Sequence, residues 1–293
     1  MPRWRRQIFG VGAVPPSEPQ QQCVVFVCGK NPDGQIVPVG TAFLIGVPDG
    51  LGAWDTFFVT AAHVVRGGDP RWIRVRRRDG GEPEDKQTDE WFLHPESDVA
   101  LTPCGFETSG YIANFQEEAF FADKHPPGVT VQVGAPVYFM GLLSNVEDLS
   151  KRAIPMMRPG NVGALDVENI QVLDKRQGFS TYVHAEPMSH LIDCNARRGF
   201  SGAPVYVEYP VVNVSLQTAQ PAPTLRLESS IQSITALLGV LVGHLNDDGD
   251  NAGVAIVVPI KALRDLLEDP RVEDWRQNKM AARARNKDEE TRG

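Results

Sequence analysis

The sequence predicts an all-β fold with one helix near the C-terminus, and three observations support this prediction. Glycine and proline are frequent, at 27 and 23 of 293 residues, and they favour many short strands joined by turns. Short β-prone segments recur along the chain in two sets. Apolar residues then repeat at helical spacing from Ile260 to Leu267, between Pro259 and Pro270, which predicts a terminal helix.

The first set of predicted strands lies within residues 23–118. Its six segments are separated by turn residues, as is typical of a small closed barrel. They comprise residues 23–28, 39–47, 56–60, 72–77, 91–94 and 99–103. Residues 1–22 are polar and rich in proline, which predicts a flexible N-terminal arm.

The second set lies within residues 119–275 and ends in the terminal helix. Its strands are predicted at residues 136–142, 154–161, 170–173, 182–186, 203–207, 237–244 and 254–258. The polar segment 210–235, with Pro221 and Pro223, is interpreted as a long surface loop. Residues 276–293 are strongly charged and are predicted to be a disordered tail.

Composition excludes several functional classes and leaves the oligomeric state open. The formal net charge of −8 argues against nonspecific nucleic-acid binding, which needs clustered positive charge. No apolar run is long enough to span a membrane. The N-terminal apolar stretch is short and interrupted by glycines, so it makes a poor export signal. The four cysteines show no disulfide-rich spacing and predict reduced thiols in a cytoplasmic protein.

Three segments carry residues suited to nucleophilic catalysis. Ser201 lies in the hexapeptide Gly-Phe-Ser-Gly-Ala-Pro at residues 199–204, where glycines permit a turn that presents a hydroxyl. A serine needs a neighbouring base, and His63, after a β-prone run, has a suitable side chain. Asp98 opens a short apolar strand and supplies a carboxylate that could orient the histidine. Glu96 is close enough in sequence to be an alternative to Asp98.

A metal site is not predicted. His190 and Cys194 are four residues apart, but they lie in a region interpreted as strand and loop. No third or fourth ligand lies at a suitable spacing. Structural or pocket-lining roles are therefore assigned to both.

The chain resembles trypsin-like serine peptidases of the chymotrypsin fold, and in particular bacterial HtrA-related peptidase domains without a PDZ domain. The matching segments are Thr-Ala-Ala-His at 60–63, Asp-Val-Ala-Leu at 98–101 and the hexapeptide at 199–204, in that order. Residues 40–45, 238–243 and 253–259 resemble flanking strands of the family. The resemblance implies two six-stranded antiparallel β-barrels and serine endopeptidase activity on protein or peptide substrates, without a cofactor.

The resemblance also assigns roles around the nucleophile. The backbone N–H groups of Gly199 and Ser201 would form the oxyanion hole. Asn195 would lie at the base of the substrate pocket, and its walls would include Leu241, Val242 and Gly243. These residues favour uncharged, small or medium side chains. Arg197, Arg198 and His244 leave an acidic preference as the main alternative.

A second function stays open, because the segment interpreted as a loop at 210–235 could cover the active-site cleft and open only with a partner. Phe200 stands where zymogen-activated relatives have an aspartate, so activation by pairing with a new N-terminus is not expected. A fold does not guarantee its usual activity. The alternative to a working peptidase is therefore a catalytically latent binding module that a partner opens.

Overall fold

A computed structural model of the chain describes residues 18–290, apart from 51, 67–70, 89, 114, 118–120, 125–129, 142–152, 175–180, 195–198, 220–223 and 248–249. The described residues are mostly β-strand, arranged as an N-terminal sheet and a C-terminal barrel. Most of the predicted arm, residues 1–17, lies outside the described residues. Its end, Glu18–Gln22, forms a short helix, α1.

The N-terminal half forms one nine-stranded sheet in the described residues. Its main path runs in the order β5-β4-β1-β2-β3-β7-β6, with β8 paired to β4 and β9 paired in parallel to β2. The strands are β1 Val24–Lys30, β2 Ile36–Pro48, β3 Trp54–Thr60, β4 Trp72–Arg77, β5 Glu84–Gln87, β6 Phe92–Leu93, β7 Ala100–Pro103, β8 Tyr111–Ile112 and β9 Gln116–Glu117.

A closed six-stranded barrel was predicted here, and the described strands do not close. The two end strands of the main path, β5 and β6, are not paired with each other among the described residues. The segment predicted as a four-residue strand at 91–94 contributes only two residues to β6. Two residues provide too few ladder hydrogen bonds to join the edges of the sheet.

The C-terminal half forms a closed six-stranded barrel in the order β10-β11-β12-β15-β14-β13, with antiparallel pairing throughout. These strands are β10 Pro136–Gly141, β11 Met156–Asp174, β12 Thr181–Cys194, β13 Pro204–Ala219, β14 Thr224–Asp247 and β15 Asp250–Pro259. This half confirms the prediction of a barrel followed by a helix.

The predicted surface loop at 210–235 is wrong, because this segment is a long β-hairpin. Strands β13 and β14 pair continuously from Tyr206↔Leu237 to Ala219↔Thr224. A signal for this was present in the sequence. Apolar and polar residues alternate over 212–217 and again over 225–228, as expected for strands exposed on one face.

The predicted disordered tail is also wrong as far as Glu290. Helix α3 spans Ile260–Leu267, and a second helix, α4, spans Pro270–Glu290. The helix is stabilised by tertiary contacts with the N-terminal half of the chain. Arg276 and Lys279 both bind the buried carboxylate of Asp55 in β3, and Arg283 binds Asp49. These ion pairs hold a charged helix, which composition alone suggested would be disordered, against the N-terminal sheet.

Candidate active site

His63 lies where β3 ends and a short helix, α2 (Ala62–Val65), begins. Strand β3 is buried in the sheet, and Ala61 and Ala62 are fully buried behind the histidine. Their small side chains allow the chain to turn tightly under the imidazole. The imidazole itself remains partly accessible, with 16% of the side chain exposed.

Asp98 forms hydrogen bonds with His63 through both carboxylate oxygens. Its Oδ2 lies 2.5 Å from His63 Nδ1, and its Oδ1 accepts the backbone N–H of His63 at 2.7 Å. The Ala62 N–H also donates to the Asp98 carbonyl at 3.1 Å. With Nδ1 as the donor, the other ring nitrogen, Nε2, is left as an acceptor. The alternative residue Glu96 is exposed to solvent.

The carboxyl of Asp98 is ionised despite its burial. Burial by itself raises the pKa of this group, because it removes water from the charged form. The hydrogen bond from the His63 ring, the charge of that ring and the His63 backbone N–H together outweigh burial, so the pKa of Asp98 lies below its usual value. Asp98 is thus suited to orient the imidazole and to stabilise its protonated form.

His94 shapes the turn that carries Asp98. Its Nδ1 accepts backbone hydrogen bonds from Glu96 at 3.1 Å and Ser97 at 2.8 Å. Both bonds need an unprotonated Nδ1. Burial lowers the pKa of His94, which favours the neutral ring.

Glu186 in β12 is a site residue that the sequence did not reveal. Its Oε1 accepts the backbone N–H of Asp98 at 2.7 Å. Burial raises the pKa of Glu186 to about 8. The two residues are 88 positions apart and belong to different halves of the molecule. No local motif could have paired them.

The serine turn, residues 199–202, adopts a conformation that requires glycine at both ends. Gly199 and Gly202 have φ angles of 96° and 89°, a region that other residues rarely occupy. Gly202 is also closely packed, because a Cβ there would lie 2.0 Å from the Thr41 carbonyl oxygen. The Gly202 N–H donates to the Leu241 carbonyl at 2.7 Å.

The apolar side chain within the turn anchors it to the barrel. Phe200 is fully buried and packs edge-on against Phe139, with ring centroids 5.4 Å apart. A Cβ on Gly141, at the end of β10, would lie 2.2 Å from the Phe200 ring. The lack of a side chain at Gly141 therefore leaves room for this ring. Phe200 thus fixes the serine turn by core packing.

Strand β2 brings the serine turn next to the histidine helix. Thr41 donates two hydrogen bonds to the serine turn. Its N–H donates to the Ser201 carbonyl at 2.8 Å, and its hydroxyl donates to the Gly199 carbonyl at 2.7 Å. A Cβ on the neighbouring Gly40 would lie 2.7 Å from Val64 and 3.2 Å from the Ser201 carbonyl oxygen. The missing side chain at Gly40 thus lets α2 and the serine turn approach.

Two properties of the serine turn bear on chemistry. Within the described part of the chain, the N–H groups of Gly199 and Ser201 donate to no protein acceptor, which leaves them available for a ligand oxygen. Among the same residues, no hydrogen bond joins Ser201 Oγ to His63 Nε2. The described structure therefore contains the His63–Asp98 pair without its link to the serine.

The predicted substrate pocket is described only in part. Asn195 lies outside the described residues, as do Arg197 and Arg198. Leu241 and Val242 are each 2% exposed, so their side chains belong to the core. Gly243 is partly exposed. Leu241 contacts the serine turn through its backbone, since its N–H donates to the Ala203 carbonyl at 2.9 Å. The substrate-binding roles of these residues stay predictions.

Comparison with solved structures decides the fold. The protease domain of MamO from Magnetospirillum magneticum superposes with a TM-score of 0.53 at 17% identity, over 85% of this chain and 97% of that one. The fold is that of a trypsin-like serine protease. The HtrA-type protease AlgW, solved with a decapeptide, gives a TM-score of 0.49 at 14% identity, over 85% of this chain and 65% of that one.

HBP, a further similar structure, gives a TM-score of 0.47 at 13% identity, over 87% of this chain and 93% of that one. No protein-family model matches the chain, and no curated protein matches it by sequence. Among the described residues, no helix is both long and apolar enough to cross a membrane.

Proposed function

We propose that this chain is a serine endopeptidase that hydrolyses peptide bonds through an acyl-enzyme intermediate on Ser201. The observation that carries the proposal is that helix α2, which carries His63, and the serine turn approach each other at Gly40. The Asp98-oriented His63 lies on one side. The serine turn lies on the other, and its Gly199 and Ser201 N–H groups donate to no acceptor among the described residues. Protein or peptide substrates are inferred, and the chemistry requires no cofactor.

The proposed reaction follows from these positions. His63 Nε2 takes the proton of Ser201 Oγ as the oxygen attacks the substrate carbonyl. The N–H groups of Gly199 and Ser201 hold the developing oxyanion, a contribution worth roughly 10²–10³-fold in turnover for each donor. The imidazolium, stabilised by Asp98, then protonates the leaving amine, and water releases the acyl group by the same path.

A fluorophosphonate probe tests this function directly, because it reacts with activated serine hydroxyls. The wild-type protein should be labelled, and Ser201→Ala should not be. Ser189→Ala is a matched control, since Ser189 is a buried serine in β12 without a proposed role. Absence of labelling in the folded wild-type protein across pH 6–9 would exclude the proposed activity.

A second candidate is a latent peptidase-fold module that a partner activates. The observation that favours it is the missing hydrogen bond between Ser201 Oγ and His63 Nε2 among the described residues. Such bonds in ligand-free sites often tighten only when substrate binds, so this observation does not exclude the first candidate.

Shortening the β13–β14 hairpin separates the two candidates if the hairpin controls access. Val211 and Gln232 are paired, so an Asn-Gly turn joining them preserves the register of the remaining strands. A latent module should be labelled only after this change, whereas a working peptidase is labelled before and after it. The change removes most of segment 210–235, which the sequence predicts to be a surface loop.

Substrate preference and location are further parts of the proposal. The enzyme is proposed to prefer uncharged, small or medium side chains before the cleaved bond, and cleavage of a peptide library measures this. A cytoplasmic location is proposed because Cys23, Cys28, Cys104 and Cys194 are present as thiols and not as disulfides. Cell fractionation with a tagged full-length chain tests the location.

A further inference from the structure

Glu186 places a second carboxyl group directly behind Asp98 of the proposed triad, His63, Asp98 and Ser201. Its side chain is fully buried, and its Oε1 accepts the Asp98 N–H at 2.7 Å. Asp98 in turn binds the ring and the backbone of His63. Glu186 therefore contacts neither His63 nor Ser201 in these bonds, and any influence on them passes through Asp98.

The surroundings of Glu186 raise the pKa of its carboxyl group. Two charged groups that act on Glu186 are Asp98, which disfavours its ionised form, and Arg66, which follows α2 and favours it. His63 lies beyond Asp98. Burial is the largest influence and opposes ionisation. A buried carboxyl beside a second carboxylate stays neutral until solution pH rises well above its usual titration range.

We propose that Glu186 is a positioning residue for the triad: it fixes the Asp98 backbone, and its ionisation tunes the His63–Asp98 pair. The inference rests on the proposed function, because it assigns a role within the same site. It adds a carboxyl from the C-terminal barrel that ties the orienting aspartate of the N-terminal sheet to β12.

The sign of the pH effect follows from the direction of the pKa shift. Below pH 8, the neutral Glu186 accepts the Asp98 N–H without adding charge. As pH rises through about 8, the ionised carboxylate forms a stronger, charge-assisted hydrogen bond. It also adds negative charge behind Asp98, which stabilises the imidazolium that forms during attack. The rate of serine acylation should therefore gain an additional rise near that pH.

Two substitutions separate positioning from charge. Glu186→Gln keeps an oxygen acceptor for the Asp98 N–H but cannot ionise. It should be labelled by the fluorophosphonate probe within about threefold of wild type at pH 6.5, and it should lack the additional rise near pH 8. Glu186→Ala removes the acceptor and should lose about tenfold to a hundredfold in labelling rate per folded molecule. Glu168→Gln, an exposed glutamate on the neighbouring strand β11, is the matched control and should match wild type at every pH.

A measurement that does not need catalysis distinguishes failure of this inference from failure of the proposed function. The NMR resonance of the Asp98 backbone amide should shift in wild type with a midpoint near pH 8, and this step should be absent in Glu186→Gln. If the step is present but no variant is labelled, the proposed activity fails and the coupling stands. Identical amide titrations in wild type and Glu186→Gln would overturn the coupling. Equal labelling of Glu186→Ala and Glu186→Gln at pH 6.5 would overturn the positioning role.

Discussion

The Thr41 hydroxyl donates a 2.7 Å hydrogen bond to the carbonyl of Gly199, across 158 positions of sequence. This bond holds the first residue of the serine turn to β2. Thr41→Val keeps the side-chain shape but leaves the partly buried Gly199 carbonyl without that donor, at a cost of about 1–3 kcal/mol. The fluorophosphonate labelling rate should fall roughly tenfold. Thr41→Ser retains the hydroxyl and should stay close to wild type, and equal losses in the two variants would contradict this role for the bond.

Gly202 should tolerate no side chain. A Cβ there would lie 2.0 Å from the Thr41 carbonyl oxygen and 2.3 Å from Thr60 Oγ1, at a φ of 89°. Gly202→Ala should therefore abolish labelling and lower the free energy of unfolding by about 3 kcal/mol or more. Gly34→Ala is the matched control, with a φ of 78° but no atom within 4 Å. It should cost only the backbone strain of about 1–2 kcal/mol, as measured by urea denaturation.

Asp98→Asn should lower the rate of peptide hydrolysis or probe labelling by about 10⁴-fold while the protein stays folded. The reason is that an amide cannot balance the imidazolium charge and favours the wrong histidine tautomer. Circular dichroism checks the fold. Glu96→Gln alters the exposed acidic neighbour and should be fully active. Nearly full activity of Asp98→Asn would mean that another group orients His63.

Asp55→Asn should loosen helix α4. The Asp55 carboxylate has only 1% of its surface exposed and lies 3.1 Å from Arg276 and 2.8 Å from Lys279. Losing this charge removes the buried carboxylate from Lys279 and leaves Arg276 paired with Glu273 at 3.5 Å, at a cost of about 2 kcal/mol, between the values for exposed and buried pairs. Thermal unfolding and trypsin cleavage after residues 276–285 report the change. Asp265→Asn breaks the exposed pair with Lys261 and should cost under about 0.5 kcal/mol. Equal trypsin sensitivity of the two variants would show that Asp55 does not secure the helix.

Cys23 and Cys28 should resist alkylation in the native protein. Burial raises the pKa of each thiol to about 12, so the reactive thiolate is scarce at neutral pH. Mass spectrometry after N-ethylmaleimide treatment at pH 7.5 should find both unmodified, and denatured protein treated alike should be modified at both. Rapid native modification at Cys28 would show that β1 opens readily.

Local sequence sufficed for features that depend on local conformation. The glycines around Ser201 indicated a turn, and the structure gives Gly199 and Gly202 positive φ angles. The barrel of the C-terminal half was predictable because its strands are apolar and bounded by turn residues. The β13–β14 hairpin was not predictable from composition: residues 212–217 alternate as in a strand, but the polar residues and the two prolines of segment 210–235 are equally typical of a loop. Pairing between the two strands decides between these states.

The sequence by itself determined which chemical groups the chain carries and in what order: His63, Asp98 and Ser201, each in a short segment whose residue types suit its role. Only the tertiary structure decided which groups meet. It placed Glu186 behind Asp98 and Thr41 under Gly199, and it anchored a charged C-terminal helix on Asp55. These contacts join residues from 88 to 221 positions apart. They depend on strand register and burial, which no short segment encodes.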